Sequence, residues 1–274
     1  MSLREYIRRW PATIYFILTF LISWMSAFLL VAKKLIENKP LAKMDGLLMF
    51  PLMIIGPVLA SFALTAISEG QIGLKNLIHR LLTFRFSIRW YLISLLIPSV
   101  LILTVLILLK SLLSTSFAPN FFPIGFLFGI PAGILEEVGW MGYAYPKMFT
   151  GHNQLSSGIK LGILWGIWHL PVIDFLGAAS PHGSSLIVFF LAFCTILVAM
   201  RMIIIWIYTK TESIPAAQFT HICSTGFLVC FGPARVTPAE EAFWYGAYAL
   251  MLWILILVFY LFNNTTGNKY RNQF

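Results

Sequence analysis

Long apolar stretches recur along the whole chain, and short segments between them hold most of the charged residues. Each stretch is about 20 residues long, the length that an α-helix needs to cross the hydrocarbon core of a bilayer. The pattern predicts about eight membrane helices, at 12–32, 46–67, 90–112, 121–148, 158–176, 184–208, 214–232 and 242–262. No room is left for a separate soluble domain. We therefore predict that residues 1–274 form a single integral-membrane domain, an all-α polytopic transmembrane helical bundle.

Composition and charge agree with this class. Apolar residues make up 59% of the chain and charged residues 11%, whereas soluble domains are about 25% charged. The formal net charge is +9, but the basic residues flank apolar segments and form no clustered basic face with aromatic residues, so nucleic-acid binding is not expected. We expect the lipid bilayer, with its anionic headgroups, to be the partner of these flanks.

The distribution of the basic residues predicts an orientation. Placing the N-terminus in the cytoplasm puts twelve Lys and Arg residues on the cytoplasmic side and six outside, with Arg201 inside a helix. The cytoplasmic set is Arg4, Arg8, Arg9, Lys75, Arg80, Arg85, Arg89, Lys147, Lys160, Lys210, Lys269 and Arg271, and the external set is Lys33, Lys34, Lys39, Lys43, Lys110 and Arg235. By the positive-inside rule, both termini are expected to be cytoplasmic.

Three polar clusters interrupt the apolar sequence. They are Glu136-Glu137 in GILEEVGWMGYAYP, His169 in LWGIWHLP and His221 in QFTHICST. Ionisable groups at bilayer depth are unfavourable, so each is a functional-site hypothesis. Pro131 and Pro171 lie close to two of them, and such helix breaks persist in lipid only where protein or a water-filled cavity satisfies the freed backbone groups. The pattern therefore predicts an internal polar cavity.

The glutamate pair is the strongest of these signals. Neighbouring residues on a helix point about 100° apart, so Glu136 and Glu137 cannot face one small pocket in the same way. One carboxylate can act while the other is held by a partner. A glutamate in such a cavity could deprotonate a water and return the proton to a leaving amine. Packing of the pair as an interhelical ion-pair device is the alternative.

The two histidines extend the candidate site. His169 has Trp165 one turn before it, and His221 has Thr225 four residues later on the same helix face. Glu136, His169 and His221 could ligate zinc, or the histidines could orient a water and stabilise an oxyanion without metal. The chain has no HExxH pattern, the short motif that would favour zinc. Spacing alone leaves both possibilities open.

The order of these motifs resembles a known family. The pattern EExxxxxxxxP from Glu136 to Pro146, the aromatic-xxx-His pattern from Trp165 to His169, and His221 in a late helix are similar to the CAAX prenyl protease and bacteriocin-processing (CPBP, type II CAAX endopeptidase) family of intramembrane proteases. The likeness covers most of the chain from about residue 50, with a core at about 121–232. Relatives commonly have an arginine where this chain has Met141 and an asparagine where it has Thr225.

The resemblance implies a metal-free endopeptidase of the glutamate type. Glu136 would be the water-activating base, Glu137 would support it, and His169 and His221 would polarise the scissile carbonyl or orient the water. Trp165 and Thr225 would support the site. The implied substrate is the C-terminal or leader region of a membrane-associated peptide or protein. If the chain is bacterial, the expected location is the plasma membrane.

Two other functions remain open at this stage. A catalytically weak or inactive relative would act as a membrane scaffold or bacteriocin-immunity protein. A proton-coupled transporter would also place Glu and His in a bundle core, but all three polar clusters lie in the second half of the chain, which does not fit two inverted halves. Arg201 and Asp174 are expected to anchor segment ends or to form interhelical ion pairs.

Overall fold

The computed structural model of the chain describes residues 2–149 and 154–265, with side chains up to residue 261. These residues form helices joined by turns, and the predicted all-α bundle is confirmed. The helices are α1 (Leu3–Arg9), α2 (Pro11–Ile36), α3 (Lys43–Met53), α4 (Ile55–Leu81), α5 (Ile88–Leu112), α6 (Phe126–Gly139), α7 (Tyr145–Met148), α8 (Gln154–Trp168), α9 (Leu186–Thr211), α10 (Ile214–Phe231) and α11 (Pro238–Thr265). Lys269 and Arg271, counted among the cytoplasmic basic residues, lie outside the described residues.

Seven stretches of the described residues are long and apolar enough to cross a membrane. They are Pro11–Ile36, Lys43–Leu81, Ile88–Leu112, Pro123–Met148, Gly183–Thr211, Ile214–Phe231 and Pro238–Leu261. Large apolar side chains on their outer faces stay exposed, as expected of helices that face lipid. The protein is therefore an integral, multi-pass membrane protein.

The predicted membrane helix at 158–176 is wrong in its second half. Helix α8 has 15 residues and ends at Trp168, so at 1.5 Å per residue it is about 22 Å long, shorter than the bilayer core. Pro171 explains the early end, because proline has no N–H to donate and disfavours helical geometry in the residue before it. A turn at Ile173–Phe175 follows instead.

Two other predicted helices are divided. The segment at 46–67 is split between α3 and α4, and α4 continues to Leu81 through a break at Gly70, whose φ of 70° lies in the left-handed region. The segment at 121–148 consists of α6, a π-helical turn at Trp140–Ala144, and α7. Turns of this kind are rare and are often found next to functional sites.

Small residues allow α6 and α10 to pack closely. A Cβ atom added at Gly129 would lie 2.6 Å from the backbone oxygen of Ile222, and one added at Gly133 would lie 2.8 Å from that of Gln218. Such distances are too short for any side chain, so glycine is required for this approach of the two backbones. The approach brings the glutamates of α6 beside His221 of α10.

A tight connection places α10 next to α9. Glu212 adopts the left-handed conformation after α9, with a φ of 52°. The hydroxyl of Ser213 then accepts a hydrogen bond from the backbone N–H of Ala216, which caps the first turn of α10. Because this connection is so short, the two helices run antiparallel, and Arg201 and His221 both lie a few turns from it.

Candidate active site

Glu136 is held through one of its two oxygens. It lies on α6 and is 1% exposed. Its Oε2 accepts hydrogen bonds from the indole N–H of Trp165, at 2.7 Å, and from that of Trp140, at 3.1 Å. Its Oε1 is buried and has no partner among the described residues. The carboxylate is therefore fixed in orientation while one oxygen stays available to accept a proton.

Glu137 is held through both of its oxygens. Nη1 of Arg201, on α9, donates to Oε2 at 2.7 Å and to Oε1 at 3.0 Å. Nδ1 of His221, on α10, donates to the same Oε1 at 2.8 Å. All three side chains are almost fully buried. The two adjacent carboxylates thus have different environments, and Glu137 is the one that is fully paired.

Trp165 of α8 contacts the other polar side chains of the site. Besides donating to Glu136, its ring lies 4.9 Å from that of His221 and 6.1 Å from that of His169, centroid to centroid. The guanidinium of Arg201 lies over its face, 4.3 Å from the centroid, within the range of a cation–π interaction. The three polar clusters of the sequence therefore meet around one indole.

The hydrogen bond of His169 fixes which ring nitrogen remains available. Nδ1 lies 2.8 Å from the backbone oxygen of Trp165. A carbonyl oxygen can only accept, so Nδ1 carries the hydrogen, and in the neutral ring Nε2 is then an acceptor. The ring is 5% exposed and packs edge-on against Trp168, with centroids 4.8 Å apart. His169 is thus arranged to accept a hydrogen bond at Nε2.

Arg201 is the main site residue whose position the sequence did not reveal. It was expected to anchor a segment end or to form an interhelical ion pair. The ion pair is present, but its partner is one of the two motif glutamates. Within the described ranges, Nε and Nη2 of Arg201 are buried and have no partner. An arginine inside a long apolar helix was the available signal. Trp140, four residues after Glu136, was also missed.

The turn after the glutamates is supported by the last part of α4. Pro146 lies four residues after Gly142 and has no N–H, so it cannot donate to the Gly142 carbonyl in the usual helical pattern. Nη2 of Arg80 donates to that oxygen instead, at 2.6 Å, and to the oxygen of Met141 at 3.3 Å. Met141 itself is fully buried. Arg80 therefore stabilises the backbone that carries the acidic motif.

Two further residues form no hydrogen bond with the motif glutamates, His169 or His221 within the described residues. Thr225 is partly buried one turn after His221, and its hydroxyl forms no hydrogen bond within the described part of the chain. Asp174 accepts hydrogen bonds from the backbone N–H of His182, at 2.7 Å, and from its ring Nδ1, at 3.2 Å. His182 also contacts Glu241, whose oxygens accept two backbone N–H groups of the loop before it. This second cluster binds that loop to α11.

Metal ligation by Glu136, His169 and His221 was one of the open expectations. Among residues 2–149 and 154–265, no group of three or more His, Cys, Asp or Glu side chains is arranged to hold a metal ion. All three expected ligands use an atom for another contact: Oε2 of Glu136 accepts two indole N–H groups, Nδ1 of His221 donates to Glu137, and Nδ1 of His169 donates to a backbone oxygen. Zinc binding would use their remaining atoms.

Comparison with known proteins agrees with the motif order. Residues 118–227 match the family described as Type II CAAX prenyl endopeptidase Rce1-like. This range contains the glutamate pair, both histidines and Arg201. The chain is also 27% identical over 212 residues to the CAAX prenyl protease 2 of Methanococcus maripaludis, which covers 73% of this chain and 76% of the relative. The resemblance read from the motifs is therefore confirmed.

Proposed function

We propose that this integral membrane protein, whose residues 118–227 match the Rce1-like type II CAAX prenyl endopeptidases, hydrolyses a peptide bond of a membrane-associated peptide or protein by a glutamate-activated water. One observation carries the proposal: two indoles hold Oε2 of Glu136, and Oε1 is buried without a partner. A proton acceptor that is fixed in orientation and unoccupied is what general-base catalysis requires.

In the proposed first step, a water lies between Oε1 of Glu136 and Nε2 of His169. Both atoms accept hydrogen bonds, so together they bind both hydrogens of one water and direct its oxygen lone pair at the substrate. Glu136 takes one proton, and the oxygen bonds to the carbonyl carbon. The carbonyl π electrons move to its oxygen. Glu136 then returns the proton to the leaving amine as the carbon–nitrogen bond breaks.

His221 is the proposed partner of the developing oxyanion. Its Nδ1 donates to Glu137, so its Nε2 is the nitrogen that remains for the substrate. In the charged ring, Nε2 carries an N–H that can donate to the carbonyl oxygen. Removing one donor of this kind typically lowers kcat by about 10²–10³. Glu137 does not take up the water proton in this scheme, because both of its oxygens are already paired.

The proposed substrate is the C-terminal or leader region of a membrane-associated peptide. A prenylated CAAX peptide is the first probe, since the archaeal relative is called a CAAX prenyl protease. We propose that both termini face the cytoplasm and that, if the chain is bacterial, it lies in the plasma membrane. In this orientation α8, with the loop at 169–185 that follows it, completes the crossing that its 15 residues do not span alone.

The test is cleavage of fluorogenic peptides by the purified protein in nanodiscs, with prenylated, unprenylated and leader-like peptides assayed separately. Glu136→Gln keeps the shape and one acceptor oxygen but removes the base, so we expect kcat to fall at least about 10³-fold, within the range of general-base contributions. Glu241→Gln is the matched control, because Glu241 is a buried glutamate of the second cluster, and its kcat is expected to stay within a few-fold of the wild type.

Three results would contradict the proposal. Turnover by Glu136→Gln at the wild-type rate would exclude Glu136 as the base. Loss of wild-type turnover on adding a chelator, with recovery on adding zinc, would replace the metal-free mechanism. No turnover of any peptide by the wild type would favour the non-catalytic scaffold.

A further inference from the structure

Arg201 is in an unusual position for a structural ion pair. A guanidinium usually meets a carboxylate with two parallel N–H bonds from two nitrogens. Here Nη1 alone contacts both oxygens of Glu137, and Nε and Nη2 are buried without partners in the described part of the chain. Leaving buried donors unpaired is unfavourable by about 1–3 kcal/mol per group. The ion pair with Glu137 therefore leaves two donors of Arg201 without a hydrogen-bond partner among the described residues.

The ion pair and the cation–π contact of Arg201 both involve residues of the candidate active site. Its guanidinium lies over Trp165, which donates to Glu136. It also shares Oε1 of Glu137 with His221. Without Arg201, two adjacent buried carboxylates would lie beside each other with no permanent cation, and Glu137 would lose the contact that fixes both of its oxygens. The orientation of His221 depends on the same carboxylate.

Position 141 offers a second place for such a cation. It lies four residues after Glu137, one helical turn away, where side chains of the same helix meet. This chain has a fully buried Met141 there. The chain therefore has an uncharged side chain at the local position and an arginine on a different helix that pairs with the same glutamate.

We propose that Arg201 is the positioning residue for Glu137, and that the guanidinium it supplies from α9 could be supplied instead from position 141 of the segment that carries the glutamates. The inference rests on the proposed function for its catalytic consequence. The structural part of the proposal does not depend on catalysis: an arginine at position 201 or at position 141 could pair with Glu137.

The experiment compares Arg201→Met, Arg201→Lys, Met141→Arg and the double variant Met141→Arg/Arg201→Met with the wild type in nanodiscs. Melting temperature, kcat and KM are measured for each. Misplacing a catalytic group by about 1 Å can lower the rate about 100-fold, so we expect Arg201→Met to lose about this factor in kcat with KM changed only a few-fold. The double variant should recover at least tenfold of that loss and a higher melting temperature than Arg201→Met.

Two single variants show whether a positive charge alone, without the guanidinium at position 201, is sufficient for activity and stability. Arg201→Lys is expected to lie between the wild type and Arg201→Met. Met141→Arg alone adds a second buried cation to a paired glutamate and is expected to be less stable than the wild type.

The inference is overturned if the double variant is no better than Arg201→Met in either measurement. It is also overturned if Arg201→Met lowers only the yield or melting temperature and leaves kcat of the folded protein unchanged. If the wild type cleaves nothing, the proposed function fails by itself. The structural part of the proposal is then tested by melting temperature alone. A double variant more stable than Arg201→Met supports it, and one of equal or lower stability refutes it.

Discussion

The two buried tryptophans of α8 provide a comparison, because only Trp165 donates a hydrogen bond to a carboxylate and lies under the Arg201 guanidinium. Trp165 donates to Oε2 of Glu136 at 2.7 Å, whereas the indole N–H of Trp168 is buried without a partner in the described residues. Both side chains are almost fully buried. Trp165→Phe and Trp168→Phe remove the same atoms from one helix, so the loss of volume is similar in the two variants.

The two variants are expected to differ in stability because only Trp165 has an acceptor, the Glu136 carboxylate. A hydrogen bond to a charged group contributes about 1.5–3 kcal/mol, while removing a donor that was already unpaired is close to neutral or stabilising. Trp165→Phe should therefore be less stable than Trp168→Phe by about 1.5–3 kcal/mol. If the same bond orients Glu136 in the transition state, kcat should fall by about 10–100-fold, since each 1.4 kcal/mol is tenfold.

The assay is thermal unfolding of both variants and the wild type in one detergent, followed by cleavage kinetics on the folded material. Trp140→Phe, which removes the longer 3.1 Å bond to the same oxygen, should be intermediate in both measurements. Equal melting temperatures for Trp165→Phe and Trp168→Phe would refute the argument. So would a Trp168→Phe variant that is the less stable of the two.

Two further substitutions test the packing and the second polar cluster. Gly129→Ala places a Cβ 2.6 Å from the backbone oxygen of Ile222 and should destabilise the protein by about 1–3 kcal/mol, because neither backbone can move away. The control is Gly246→Ala, where nothing lies within 4 Å of the added Cβ, and it should be neutral or slightly stabilising. Equal effects of the two substitutions on stability would contradict this packing. Glu241→Gln weakens the acceptor of two loop N–H groups and should lower the melting temperature without changing kcat; a change in kcat alone would mean that the loop acts on the chemistry.

Some features of this protein follow from the sequence and others do not. The apolar stretches predict the bundle because any segment of that length and hydropathy must bury its backbone polar groups in a helix when it lies in lipid. The Glu136, His169 and His221 motifs could be recognised because ionisable groups are rare at that depth. The early end of α8 also had a visible cause, since Pro171 interrupts the apolar run.

The arrangement within the site could not be predicted in the same way. Which oxygen of Glu136 is occupied depends on two indoles, and one of them comes from another helix. The pairing of Arg201 with Glu137 joins residues 64 positions apart, and nothing in the local sequence of α9 specifies that contact. Apolar periodicity predicts which segments form helices. The rotation and depth of each helix depend on close contacts such as that of Gly129 with the backbone of α10.

Pro146 explains a contact of the acidic motif with α4 that the motif sequence does not reveal. Pro146 cannot donate to the Gly142 carbonyl as the residue four positions later does in an α-helix, and Arg80 donates to that oxygen from the segment of α4 after the Gly70 break. A proline, which usually interrupts a helix, thus leaves a carbonyl oxygen to which a neighbouring helix is bonded. The last segment of α4 is therefore bonded directly to the backbone that follows the glutamates, through one side chain that contacts two carbonyl oxygens.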